Sequence, residues 1–288
     1  MAHGLRLLRR DRPAPRHRGD LHRRPADCGR GAGQGRSRLS PPLLIGTPIS
    51  PFVRKILAPC ALKGVEVRID PIVAFVSNDA FSDLNPLRRI PVWMDDEVTL
   101  ADSSVILQYL EERWPEPSIW PVDLAQRARA RWLEEYADTR LADVLLGHVF
   151  FERIVRPHVL GEEGDLERAK RGSETLAPEV FGYLERQLGD GPFLCGNQAC
   201  GADYAMAPAF LNARAARCKP KRDTWPKLVA WLERMEAETL LGRLNEMAWA
   251  MLAAPPAELA DRMRAFGYEA SDRSWGGGRP RRGPMSWG

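Results

Sequence analysis

Ser50-Pro51 is where residue type and spacing in this 288-residue chain first suggest chemistry. A short apolar run, Leu43-Leu44-Ile45, closes at Gly46 as a buried strand does. Ser50 then takes the N-cap position and Pro51 the first helical position of a segment in which Val53, Ile56, Leu57 and Leu62 recur at helical spacing up to Gly64. A hydroxyl at a helix N-terminus, just past the C-terminal end of a strand, points into the crevice where open α/β sheets bind ligands. Unpaired backbone N–H groups and the helix dipole favour an anion there. A serine so placed can donate a hydrogen bond to a bound thiolate and lower its pKa. The plainer reading makes Ser50 an N-cap alone, contributing about 1 kcal/mol.

Other nucleophiles fit less well. No histidine lies between His22 and His148 and no GxSxG occurs, which argues against a Ser-His-Asp hydrolase. His148 and His158 read as surface or hydrogen-bonded core residues. Five cysteines (Cys28, Cys60, Cys195, Cys200, Cys218) are odd in number and lack CxxC spacing, so neither a zinc site nor a disulfide framework is expected. No metal is therefore expected, and a reducing, cytoplasmic compartment is the default. Cys60, inside the helix that Ser50 opens, reads as a small core residue. The richest apolar stretch, Leu141 to Phe151, is broken by Asp143 and His148, so no membrane span is expected. The first residues lack the short apolar core of a secretory signal.

The formal charge of +4 invites a nucleic-acid reading, but its distribution argues against one. Residues 1–40 hold eleven Arg against three Asp, and residues 271–288 hold four Arg against Asp272, which leaves −7 for residues 41–270. Phosphate binding draws on a concentrated positive face, so an acidic body predicts no nucleic-acid partner. Residues 1–40 are Arg-, Pro- and Gly-rich with almost no apolar periodicity and are expected to be a disordered extension that can be removed without loss of fold.

The elements that must position Ser50 follow from residue 41 onward. Val65, Val67 and Ile69 alternate as a second strand, and Pro91–Met94 with Val98–Leu100 flank Asp95-Asp96 as a hairpin. Asp102-Ser103 opens a helix whose Val105, Ile106, Tyr109 and Leu110 face inward. This is a small α/β domain over 41–116, bounded by Trp114-Pro115-Glu116-Pro117. Residues 120–255 have helical period nearly throughout, with helices around Leu124–Val149, Leu176–Leu188, Ala202–Ala216 and Trp225–Ala237. Trp132, Tyr136, Phe150 and Phe151 are core residues by spacing, or the lining of an apolar second-substrate pocket. Residues 256–288 are expected to be a helix followed by a loose, basic, Gly-rich tail.

Three stretches in series, Gly46-Thr47-Pro48-Ile49-Ser50-Pro51-Phe52-Val53-Arg54-Lys55, Asn85-Pro86-Leu87-Arg88-Arg89-Ile90-Pro91-Val92 and Asp102-Ser103-Ser104-Val105-Ile106-Leu107-Gln108-Tyr109-Leu110, resemble the cytosolic glutathione transferase family. The resemblance runs over about residues 42–245. It implies an α/β thioredoxin-like domain followed by an all-α helical domain, a homodimer, and a serine-type transferase that uses glutathione as cosubstrate in detoxification chemistry. Ser50 matches the serine that hydrogen-bonds the glutathione sulfur, Ile90 the residue whose backbone pairs with the cysteinyl unit, and Pro91 the cis-proline. Asp102 and Ser103 match the acidic-Ser pair at the γ-glutamyl end, with Asp102 a methylene shorter than the commoner Glu. Arg89 approaches the glycyl end, and Arg88 stands where many relatives have Gly. Arg54, Lys55, Arg88 and Arg89 place positive charge near the crevice, with Lys55 expected at the solvated surface. Cys200 replaces the hydroxyl of the family's Ser/Thr-x-x-Asp cap, which ends here in Asp203, so a weaker cap is expected. The resemblance implies a small hydrophobic electrophile as second substrate. The same site suits a glutathione-dependent isomerase, dehalogenase or peroxidase, and a non-catalytic binding module is the alternative from another class.

Overall fold

The computed structural model describes residues 40–284. The extension expected at 1–40 lies outside the described residues apart from Ser40. Leu44 faces a large apolar cluster, while Leu43 and Ile45 face a second one with Ile72, Phe81 and Val92. Strand β1 (Leu43–Ile45) is therefore buried on both sides, which is why it reads as an unbroken apolar run. Helix α1 (Pro51–Leu62) follows, then β2 (Arg68–Asp70), α2 (Phe81–Leu84), β3 (Val92–Met94), β4 (Thr99–Ala101) and α3 (Ser103–Arg113). Gly46, between β1 and α1, has φ +143, and a Cβ there would lie 2.7 Å from Val53 and 2.9 Å from Ile90. Only glycine lets the strand end approach both the helix and the Ile90 loop so closely.

The second half begins at α4 (Leu124–Tyr136), capped by Asp123 Oδ1, which accepts from Gln126 N at 2.9 Å. The helix runs on in π-type geometry over Ala137–Leu141 and Asp143–Leu160 and ends at Gly161. Helix α5 (Leu166–Arg171) likewise passes through a π-type turn, Gly172–Leu176, into α6 (Ala177–Gln187). Pro178 sits at the start of α6, just past that turn, where a missing N–H costs least. The single helix expected over Ala202–Ala216 is two, α7 (Gly201–Met206) and α8 (Ala209–Ala215), with Pro208 at the break. Helices α9 (Pro226–Glu238), α10 (Leu241–Leu252) and α11 (Leu259–Ala265) complete the half. The apolar cluster around Leu44, Val53 and Ile56 continues without a gap through Ile106 to Leu133, Leu141 and Trp231, so sheet and helices share one core.

The chain end departs from expectation. Strand β5 (Glu269–Ala270) pairs in parallel with β2 and gives a five-stranded mixed sheet in the order β4-β3-β1-β2-β5. The first four strands, with β1–β2 parallel and β1–β3 and β3–β4 antiparallel, form the expected thioredoxin-like arrangement. Residues 271–284 are no loose tail. Trp275 is buried in the second cluster, and the glycine run beside it permits close backbone contact: a Cβ on Gly278 would lie 2.0 Å from Ser77 O. No helix among the described residues is long and apolar enough to cross a membrane.

Candidate functional site

Ser50 reaches its position because β1 ends at Ile45 and the turn through Thr47 delivers the chain to α1. Ser50 N donates to Thr47 O at 3.0 Å, and Ser50 O accepts the first helical bond from Arg54 N at 3.2 Å. The residue is an N-cap in backbone position, with φ −68 and ψ 126, yet its hydroxyl makes no capping bond. Among the described residues Ser50 Oγ has no hydrogen-bond partner, which leaves it available to a ligand. It faces a cavity of about 260 Å³ between the loops at the sheet's end and the long helix after α4.

Ser50, Arg89 and Ile90 line this cavity together; Pro91, Asp102 and Ser103 are not in its lining. The Ile90–Pro91 bond is cis, as is Glu116–Pro117. Arg88 has φ 53, a left-handed conformation that glycine adopts more readily. Its guanidinium is turned to Ser77 O (2.7 Å), Ser82 Oγ (2.7 Å) and Asn78 O (3.2 Å), so it braces the segment behind the cavity. Asp102 is exposed and caps α3, Oδ1 accepting from Ser104 N at 2.9 Å and Val105 N at 3.2 Å. Its φ of 111 is far outside the range of unstrained non-glycine residues, a feature that clusters at ligand sites.

The largest correction concerns Lys55. It is 1% exposed rather than solvated. Its Nζ donates to Asp138 Oδ2 at 2.6 Å, to Ser103 Oγ and Ser104 Oγ at 3.2 Å each, and in a very short contact to Glu134 Oε1. This cluster joins α1, the start of α3 and α4 with its continuation. Asp138 also lines the cavity, and its Oδ1 is buried without a partner. Burial pushes the Asp138 carboxyl above the usual range, against the pull of Lys55. Arg54 is equally enclosed, donating to Asn245 Oδ1 (2.5 Å), Asn212 Oδ1 (2.7 Å) and Pro208 O (2.9 Å). Burial lowers its pKa to about 9, so it stays charged at neutral pH. Asn212 in turn donates to Ile49 O at 3.0 Å, and so fixes the residue before Ser50. Of the four expected crevice cations, only Arg88 and Arg89 line the cavity.

The remaining wall is apolar: Phe52, Phe75, Phe150, Phe151, Ile154 and Val155 among others. Phe150 and Phe151 therefore take the lining role, whereas Trp132 is 56% exposed and donates to Tyr183 Oη at 3.1 Å, outside the cavity. Sequence reasoning missed Asp138 and Asn212. The i,i+4 pair Glu134/Asp138 beside an apolar stripe was the available signal for the first; Asn212 had none. At α7, Cys200 N donates to Asp203 Oδ2 at 2.9 Å, and Asp203 Oδ1 accepts from Trp231 Nε1 (2.8 Å) and Leu194 N (3.0 Å). The buried carboxylate, raised in pKa by its burial, thus anchors this helix start with three bonds.

Cys60 packs in the core of α1, and burial pushes its thiol up to about 12. It is expected to resist alkylation at pH 8 in the native protein and to react fully in denaturant, since the thiolate is the nucleophile. Thiol mapping by mass spectrometry checks this.

Comparison with known proteins agrees with the geometry. Residues 44–118 match the family model for the glutathione S-transferase N-terminal domain, and residues 136–238 that for the C-terminal domain. The chain is similar to glutathione S-transferase theta-1 of Mus musculus, 29% identical over 212 residues that cover 72% of this chain and 86% of that protein. It is also similar to a dichloromethane dehalogenase of Methylophilus leisingeri, 31% identical over 157 residues, 52% of this chain and 57% of that one. The apo structure of human glutathione-S-transferase T1-1 superposes with a TM-score of 0.65 over 78% of this chain and 97% of its own, at 24% identity. Two family domains matched in series, on a four-strand thioredoxin-like core with helices behind it, place the chain in the glutathione S-transferase family.

Proposed function

We propose that the chain is a glutathione transferase in which the Ser50 hydroxyl stabilises the glutathione thiolate for attack on a small hydrophobic electrophile. The observation that carries this reading is the unpartnered Ser50 Oγ at the N-terminus of a 12-residue helix, facing a largely apolar cavity. A donor aimed at a developing or bound anion in a water-poor site acts far more strongly than in water. Glutathione lies across the sheet's end, with its sulfur at Ser50, its cysteinyl unit on the Ile90 backbone beside Pro91, and its glycyl carboxylate near Arg89. Asp102 and Ser103 take the γ-glutamyl end; the strained φ of Asp102 and the burial of Ser103 against Lys55 support a fixed arrangement there. The protein works in the cytoplasm as a homodimer, as the family does.

The similarity to a dichloromethane dehalogenase supports a second reading of the same site, in which the leaving group is a halide. A carbon–sulfur bond then forms as the carbon–halogen bond breaks, the halide carries away the electron pair, and the thiol proton passes to solvent. Retention of the protein on immobilised glutathione, followed by turnover of an aryl halide and of a dihaloalkane, tests both. Binding with no turnover over a broad electrophile panel makes the protein a binding module, and absence of retention removes glutathione from the account.

A further inference from the structure

We infer that residues 269–283 form a clasp across the cavity and that Arg282, at its tip, is a specificity-determining residue for the apolar substrate. The clasp starts at the sheet. After β5, Ser271 N donates to Ile69 O at 2.8 Å. The Asp70 carboxylate, at the end of β2, accepts from Ser274 Oγ and from Trp275 N, both at 2.8 Å. Trp275 fills the second apolar cluster, and Asn78 N donates to its carbonyl at 2.7 Å. These contacts make a firm anchor, because a large aromatic is buried and the carboxylate beside it is bonded at both oxygens.

From the anchor the chain runs along the sheet-side wall of the cavity. Gly278 N donates to Val76 O and Arg281 N to Phe75 O, each at 2.8 Å, and the Arg281 side chain pairs with Asp79 at 2.6 Å. Arg282 then crosses to the helix-side wall. Its guanidinium pairs with Glu162 in a very short contact and lies 5.6 Å from the ring centroid of Phe151. Phe75 and Phe151 both line the cavity, one from each wall, with centroids 5.8 Å apart and planes at 56°. One segment thus bonds the backbone of the first ring and lies on the face of the second. It fixes how far apart the two walls stand, and with that the size of molecule the cavity accepts.

The substrate part of this inference rests on the proposed function; the clasp itself does not. Arg282→Ala and Glu162→Ala remove the crossing from either side and leave the Trp275 anchor in place. Their effect is read with a homologous series of primary alkyl halides of increasing chain length at saturating glutathione. The ratio of kcat/KM for the longest to the shortest is expected to rise about twofold to fivefold in both variants, with the KM for glutathione unchanged. Binding of an apolar fluorescent dye to the cavity, measured without glutathione, is expected to tighten by a similar factor. Folded variants with an unchanged length ratio and unchanged dye affinity overturn the inference, as does an equal loss for every halide. If the wild-type protein turns over no alkyl halide, the dehalogenating reading of the site fails, and dye binding alone decides the clasp.

Discussion

Ser50→Ala is expected to keep the fold and to stay bound on immobilised glutathione while losing about 10²-fold or more of kcat, the scale seen when one donor to a reacting anion is removed. The structure gives two reasons for so clean a separation. Ser50 Oγ makes no capping bond, so removing it takes nothing from α1, whereas an ordinary Ser-to-Ala cap replacement costs about 1 kcal/mol. In the proposed binding mode the other contacts to glutathione come from the Arg89–Pro91 loop and the start of α3, so affinity is expected to be retained. The pH profile adds an independent check. A hydrogen bond to the thiolate favours the charged form, so its loss raises the pKa of bound glutathione and moves the rising limb of activity to higher pH. Stopped-flow titration of the thiolate absorbance in wild type and variant measures that shift. Full activity in Ser50→Ala, or an unmoved limb, removes Ser50 from the mechanism.

The parts of this site that the sequence made legible are those set by local rules. A strand closed by glycine, Ser-Pro at a helix start and Asp-Ser at the next one each signal an element and its end, and all three appear where expected. The parts that escaped depend on packing between distant segments. Val53, Ile56 and Leu57 mark only one face of α1, and of the two basic residues between them Arg54 reads as a crevice charge and Lys55 as part of the solvated side. In fact residues 53–60 are buried throughout, because the helix is covered by the sheet on one side and by the helical half on the other. The second face is closed by ions: Lys55 meets Glu134 and Asp138, 79 and 83 positions away. The clasp was hidden for a related reason. Strand β5 has two residues, too few for any period, and its glycines and arginines resemble an unstructured end until Trp275 and Asp70 are seen 205 positions apart.

The same burial makes Lys55→Met the substitution with the largest expected cost to stability, about 3–5 kcal/mol, measured by urea unfolding at pH 7.5. The lysine is the only cation in contact with this pair of carboxylates among the described residues. Its removal strands two charges away from water, and the penalty is that of unpaired ions rather than the net worth of a salt bridge. The sign of the pH dependence follows. Asp138 already sits above the usual carboxylate range because it is buried, and losing the lysine raises it further. A carboxyl whose folded pKa exceeds its unfolded value binds its proton more tightly in the folded state, so the penalty is full above the folded pKa and fades as pH falls through it. The deficit of Lys55→Met is therefore expected to shrink between pH 7.5 and pH 5, and adding Glu134→Gln with Asp138→Asn is expected to recover most of it at neutral pH. Function feels the same change, since Ser103 and Ser104 accept from Lys55 Nζ. At temperatures where Lys55→Met remains folded, the KM for glutathione is expected to rise more than kcat falls, because the cluster holds the start of α3 against α1 while Ser50 is untouched. A deficit that does not vary with pH, or a loss confined to kcat, would show that the cluster is not held by its charges.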